Sequence, residues 1–192
     1  MAIAQSHPMT GGSVGPSGTV SSDPYGYGNR APGSPEAAEY QLNKDRAFLK
    51  KALEEDSTEV GIGELAQKNS SSDDVKQMAQ KIIADHKQLG SQIESVAKQL
   101  GVDAPKDQSR KEKQLLAKLQ GLSGQQFDEE FIKVMLKDHQ QNLKDFLTEA
   151  EKTQNTALGS ATKDGANLIA QHIQLIQQIA QNHNLTADGK PK

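Results

Sequence analysis

Residues 75–100, VKQMAQKIIADHKQLGSQIESVAKQL, decide the fold. Val75, Ala79, Ile82, His86, Leu89, Ile93, Val96 and Leu100 recur at spacings of four and three. Over about seven turns, that period lays one apolar stripe along an α-helix and suits a helix-bundle seam. The segment stops at Gly101, with Pro105 just beyond, as a helix C-terminus does. One member of the stripe, His86, is not apolar. An imidazole facing a core must find a partner there.

Three more long helices follow from the same reading. The first starts at Ser34, a good N-cap, with Pro35 at the first helical position and Glu36 at the positive end of the dipole. Its inward stripe is Leu42, Leu49, Ala52, Asp56, Glu59, Gly63 and Ala66, widened by Phe48, Leu53, Val60, Ile62 and Leu65. Gly61 and Gly63 cost roughly 1 kcal/mol each relative to Ala, so they are expected to mark a close helix–helix approach or a kink. Asn69-Ser70-Ser71-Ser72 ends this helix and is expected to cap the next. The third long helix opens with an expected capping box at Ser123 and Gln126 and carries Phe127, Phe131, Ile132, Met135, Leu136, His139, Leu143, Phe146, Leu147 and Ala150. After a break near Thr153–Thr156, the fourth carries Leu158, Ala161, Leu168, Ile169, His172, Leu175, Ile176 and Ile179.

Between the second and third helices lies a crossover of roughly twenty residues. It contains a short helix from Ser109 to Gln120, opened by a Ser109–Glu112 capping box and closed by Gly121. Two tight hairpins joined by one long crossover form the ferritin-like connection. The expected fold is therefore all-α: an antiparallel ferritin-like four-helix bundle with a short extra helix in the crossover. Residues 1–35 are expected to be a disordered Pro/Gly/Ser-rich tail, 36–185 the bundle and 186–192 a polar tail. Ile83-Ala84-Asp85-His86-Lys87-Gln88 faintly repeats as Leu136-Lys137-Asp138-His139-Gln140-Gln141, as in a fold of two related hairpins.

Composition excludes several classes. Four Phe, three Tyr and no Trp, with sparse β-branched residues, speak against a sheet. A net charge of −3 with mixed signs lacks the clustered basic face of a nucleic-acid binder. No apolar run approaches the roughly 20 residues of a membrane span. The chain has no cysteine, so disulfide and thiolate chemistry are absent. Ala2-Ile3-Ala4 has the small-x-small form of a signal-peptidase site, although no apolar segment precedes it. Tyr25 and Tyr27 in the tail offer a contact for an envelope partner, against the plainer reading of a spacer.

The polar residues on the apolar stripes are the candidate site. His86, His139 and His172 lie on the stripes of three helices, and Glu59 and Asp56 on that of the first. Counted from the first hairpin loop, Glu59 is about 17 Å down and His86 about 23 Å; from the second, His139 is about 21 Å and His172 about 26 Å. All four fall near mid-bundle, with Asp56 closer still to the depth of His86. Three imidazoles and a carboxylate, Glu59, His86, His139 and His172, with Asp56 as a further ligand, suit zinc, copper or iron. Asp85 and Asp138 point about 100° away from the histidines that follow them and would instead support imidazoles of neighbouring helices. The competing reading is a metal-free buried network of ion pairs among the same groups. Met78 and Met135 read as core filler, His183 as solvated at a fraying helix end, and His7 as part of the tail.

No G-x-S-x-G, P-loop, H-E-x-x-H or dinucleotide fingerprint occurs. The di-iron pattern is missing too: Ile83, Leu136 and Ile169 stand where a Glu three residues before each histidine would be. Glu59-Val60-x-x-Gly63-x-Leu65-Ala66, Val75-Lys76-x-x-Ala79, Asp85-His86, Phe127-Asp128, Asp138-His139 and the late His172 occur in that order. Across residues 40–183 they resemble the exported bacterial family known as domain of unknown function 4142, often labelled outer-membrane proteins. The resemblance implies a ferritin-like bundle outside the cytoplasm, typically periplasmic, and no particular activity. The outer-membrane label finds neither barrel-type alternation nor an anchoring cysteine. Three functions are carried forward. One is an extracytoplasmic metal- or partner-binding bundle that is not an enzyme. The second is a redox enzyme with a degenerate di-iron or copper centre using Glu55, Asp56 or Glu59. The third is a structural envelope module without metal.

Overall fold

The computed structural model describes residues 33–192. The expected tail, with Ala2-Ile3-Ala4, His7, Tyr25 and Tyr27, lies almost wholly outside them. The described residues form five helices and no strand: α1 (Pro35–Asn69), α2 (Asp73–Gln99), α3 (Arg110–Gln120), α4 (Gly124–Lys152) and α5 (Thr156–Asn182). No described helix is long and apolar enough to cross a membrane.

Local chemistry sets most of the ends. Ser34 Oγ accepts from Ala37 N at 3.2 Å, with Pro35 at the first position. Ser109 and Glu112 form the expected reciprocal capping box. Gly101, just past α2, takes a φ of +68°, a conformation open to glycine at little cost. Two expected caps are absent. Ser123 precedes α4 but its side chain caps nothing, so the Ser123–Gln126 box does not form. Ser72 precedes α2, yet its hydroxyl donates to Asp74 instead of accepting from the backbone. The start of α4 is tied down from its own first turns: buried Asp128 accepts from Ser71 N at 3.3 Å and Ser71 Oγ at 2.9 Å.

Contact is heaviest within the hairpins α1–α2 and α4–α5, and α2 then packs on α5 and α1 on α4. Gly63 allows the first of these: a Cβ there would stand 2.7 Å from Ile83 Cγ1 and 3.2 Å from the Ala79 carbonyl oxygen. Of the two expected glycines, only Gly63 marks a close helix approach, because at Gly61 a Cβ would meet Leu116 at an ordinary 3.5 Å.

The apolar interior is divided in two. One cluster holds Ile62, Ala66, Val75, Ile82, Phe131 and Ile176 among others; the second holds Leu49, Ala52, Leu89, Ile93, Phe146 and Ile169. Following the chain, α1 and α5 pass from the second cluster to the first, whereas α2 and α4 pass from the first to the second. Each long helix therefore runs opposite to the two long helices it packs against most, and α2 and α4 run the same way. That is why the link between them must return along the molecule. It carries α3, whose buried Leu119 joins the first cluster. In each long helix, the residues between the two clusters are the polar ones: Asp56 and Glu59, His86, His139 and Asn142, and His172.

Candidate metal centre

A helix places residues three and four apart on one face. His86 follows Ile82 and precedes Leu89, His139 follows Met135, and His172 lies between Ile169 and Ile176. Each imidazole is thus driven inward by its own stripe. Glu59, His86, His139 and His172 are exposed by only 3, 2, 0 and 0 %.

The four side chains meet. Glu59 Oε2 lies 2.8 Å from His86 Nε2 and 3.6 Å from His139 Nε2, and His139 Nε2 lies 3.2 Å from His172 Nδ1. The three imidazole rings are 5.3 to 5.5 Å apart, centre to centre. One nitrogen from each of His86, His139 and His172 lies within 4.8 Å of the other two, so the trio could hold a metal ion. Asp56 sits on the other side of the His86 ring, with Oδ1 2.8 Å from Nδ1. Of the expected set, Asp56 is therefore the one residue placed away from the shared centre.

Partners on the outer ring nitrogens orient the inner ones. Asp56 takes Nδ1 of His86, and Asp85 takes Nε2 of His172 at 2.7 Å. His139 Nδ1 is buried without a hydrogen-bond partner, although the Met135 carbonyl one turn back favours its proton. With those outer nitrogens carrying protons, the inner His86 Nε2, His139 Nε2 and His172 Nδ1 face one another and Glu59. Asp85 thus supports a histidine of a neighbouring helix, as its angular position predicts; it also accepts from Lys81 at 2.8 Å. Asp138 does not. It is packed beside Glu55, Glu59, Glu112 and Asn142 around a cavity of about 40 Å³. Asn142 was missed, although it lies three residues after His139 on the same face; its amide donates to Glu59 Oε1 at 2.9 Å.

Glu59 Oε2 and His86 Nε2 approach to 2.8 Å as a buried ion pair. An ion bound at about 2.1 Å holds neighbouring ligands about 3.0 Å apart at a right angle and about 3.4 Å apart at the tetrahedral angle. For three of the six donor pairs, the 2.8, 3.2 and 3.6 Å separations bracket those values.

Burial and charge act against each other here. Burial disfavours the Glu59 carboxylate, but the surrounding His139, His86 and His172 outweigh it and hold Glu59 down at about 2. Burial likewise disfavours the His86 imidazolium, while Glu59 and Asp56 on its two sides raise it to about 10. Burial pushes His139 down to about 4, helped by His86 and His172 and opposed by Glu59. Burial also lowers His172, against the pull of Asp85, and raises Asp56, against the pull of His86. At neutral pH the pattern is one imidazolium, His86, between two acidic groups, with His139 and His172 neutral.

The remaining expectations resolve elsewhere. Met78 and Met135 are buried in the first apolar cluster, as core filler should be. His183 is not solvated: its side chain is only 15 % exposed and its Nε2 lies 3.0 Å from Asp74 Oδ1. Its position at the C-cap of α5, beside the start of α2, is a tertiary contact that a reading of α5 alone could not contain.

No curated protein and no solved structure matches the chain. A family model does match, over residues 31–179, and on that extent the chain belongs to the family described as Domain of unknown function (DUF4142).

Proposed function

We propose that this chain is a ferritin-like antiparallel four-helix bundle that binds one transition-metal ion, zinc, copper or iron, through His86, His139, His172 and Glu59. The observation that carries the reading is the convergence of three buried imidazoles, one nitrogen of each within 4.8 Å of the other two, beside the buried Glu59 carboxylate. Without a cation these groups hold one another as an ionic network, and a cation that displaces the His86 proton is met by all four donors. The opposed directions of adjacent helices and the parallel pair α2 and α4 support the bundle topology. A single carboxylate among the four donors favours one ion over a di-iron pair.

The proposed activity is binding rather than catalysis, in the extracytoplasmic, periplasmic setting that the family resemblance implies. Binding requires His86 to give up its proton, so uptake releases protons and weakens in acid. The test is metal content and melting of the untagged protein with and without zinc, copper and iron. A ligand at 1,000 times its Kd stabilises the native state by about 4 kcal/mol. Absence of both bound metal and a raised Tm refutes the reading and leaves a purely ionic network. Cell fractionation tests the location; recovery solely from the cytoplasm refutes it.

A further inference from the structure

A cleft of about 640 Å³ opens between α1, α2 and the crossover segment that precedes α3. Among the residues that meet at the centre or beside it, Asp56 and His86 line this cleft. Glu59 lines the separate 40 Å³ cavity, and neither His139 nor His172 borders either space. The His86 ring is thus the partition: Asp56 lies 2.8 Å from its Nδ1 on one side, and Glu59 2.8 Å from its Nε2 on the other.

Two features mark the cleft floor. The first is Asp56 Oδ2. Asp56 is only 7 % exposed, its Oδ1 is engaged by His86, and its Oδ2 has no hydrogen-bond partner. A buried carboxylate oxygen left bare is costly, and burial already disfavours this charge. The second is Gly90. Glycine inside a helix costs about 1 kcal/mol relative to Ala, and packing does not demand it here: a Cβ would stand 3.5 Å from Asp56 Oδ2 and 3.6 Å from Asp56 Cβ, an ordinary contact. Gly63 and Gly165, where a Cβ would collide with Ile83 and Phe146, are glycines for packing reasons. What Gly90 preserves is the open space over Asp56.

We propose that this cleft is the access route of a divalent transition-metal cation, with Asp56 Oδ2 the first internal oxygen it meets before His86. The proposal rests on the metal reading above. An ion leaving water gives up hydration ligands, and a carboxylate at the cleft floor replaces part of that shell before the histidines complete it. Asp56 therefore has two jobs on its two oxygens: Oδ1 holds the His86 ring with Nε2 turned inward, and Oδ2 receives the cation. Passage inward needs the His86 ring to swing, and the space above Gly90 is where Asp56 and the ring can move.

The experiment uses the full chain, untagged and stripped with a chelator, with cobalt(II) as the probe, because its visible bands report ligation. Stopped-flow mixing gives the association rate, chelator competition the dissociation rate, and equilibrium titration the Kd. Gly90→Leu fills the cleft over Asp56 without replacing any ligand. Ser57→Leu narrows it from an exposed position on α1 and guards against a misfolded first variant, with helical circular dichroism as the folding control. Both variants are expected to slow association and dissociation together by about tenfold or more, leaving Kd within about threefold of the parent. Wild-type protein that binds no cobalt overturns the metal reading and this route with it. Wild-type binding, with unchanged rates in both folded variants, overturns the route alone. Slower association with unchanged dissociation also overturns it, since a shared path must hinder both directions.

Discussion

Replacing Glu59 by Gln tests the polar layer most directly. The substitution keeps the shape and leaves the Asn142 amide a carbonyl oxygen to bond, now 2.9 Å away at Oε1. What it removes is the carboxylate charge 2.8 Å from His86 Nε2 and 3.6 Å from His139 Nε2. Taking one partner from a buried ion pair typically costs 3–5 kcal/mol, because the other charge is left uncompensated. Here the loss is partial, since Asp56 still faces His86 at 2.8 Å. The expected cost is therefore about 2–3 kcal/mol, or roughly 4–12 °C in Tm for a chain of this size. The assay is urea unfolding followed by circular dichroism at pH 7 in chelator, so that only the chain's own charges are compared. His86→Gln added to Glu59→Gln should recover much of the loss, because no bare imidazolium remains. A Glu59→Gln protein within about 0.5 kcal/mol of the parent, or a double variant whose losses simply add, refutes the assigned charge pattern.

Asp85→Asn weakens the carboxylate that orients His172 and is expected to lower metal affinity by about 10- to 100-fold with the fold intact; an unchanged Kd contradicts the orienting role. Gly165→Ala is expected to destabilise by about 1–3 kcal/mol, because its Cβ would overlap the Phe146 ring. Gly159→Ala, facing Thr153 Cγ2 at 3.6 Å, is expected to stabilise by up to about 1 kcal/mol; equal signs in urea unfolding count against the packing. Glu149 is raised to about 7 by burial and by nearby Asp45. A carboxyl group whose folded value lies above its unfolded one contributes stability that is complete below about 4.5 and is lost as pH rises to about 7. Glu149→Gln is therefore expected to flatten the decline in unfolding midpoint between pH 4.5 and 7, and an unchanged slope argues against the raised Glu149 value.

Much of the candidate site could be read from position alone. Helical periodicity fixes which residues share a stripe, so His86, His139, His172, Glu59 and Asp56 were placed inward on rise and spacing. Asp85 could be assigned to a neighbouring helix because it is turned about 100° from His86. The depths counted from two separate hairpin loops differed by several ångströms, yet the groups meet within hydrogen-bond range. Packing of the two apolar clusters sets the final register, and a count of rise contains no such term. Asp45, Asp128 and Glu149, all buried, carry no periodic signal that separates them from solvated acids; Asp45 is met by Thr153 and Asp128 by Ser71, both on other segments.

The sequence by itself determined the helices, most of their ends and the polar step on each stripe, because these depend on contacts within about four residues. Only the tertiary structure decided that Asp56 backs His86 instead of facing the centre, that Asn142 supports Glu59 while Asp138 orients no imidazole, and that His183 pairs with Asp74. Those outcomes turn on the rotation of one helix about its axis against another. A rotation of tens of degrees leaves every stripe buried, but moves a carboxylate from one nitrogen of an imidazole to the other.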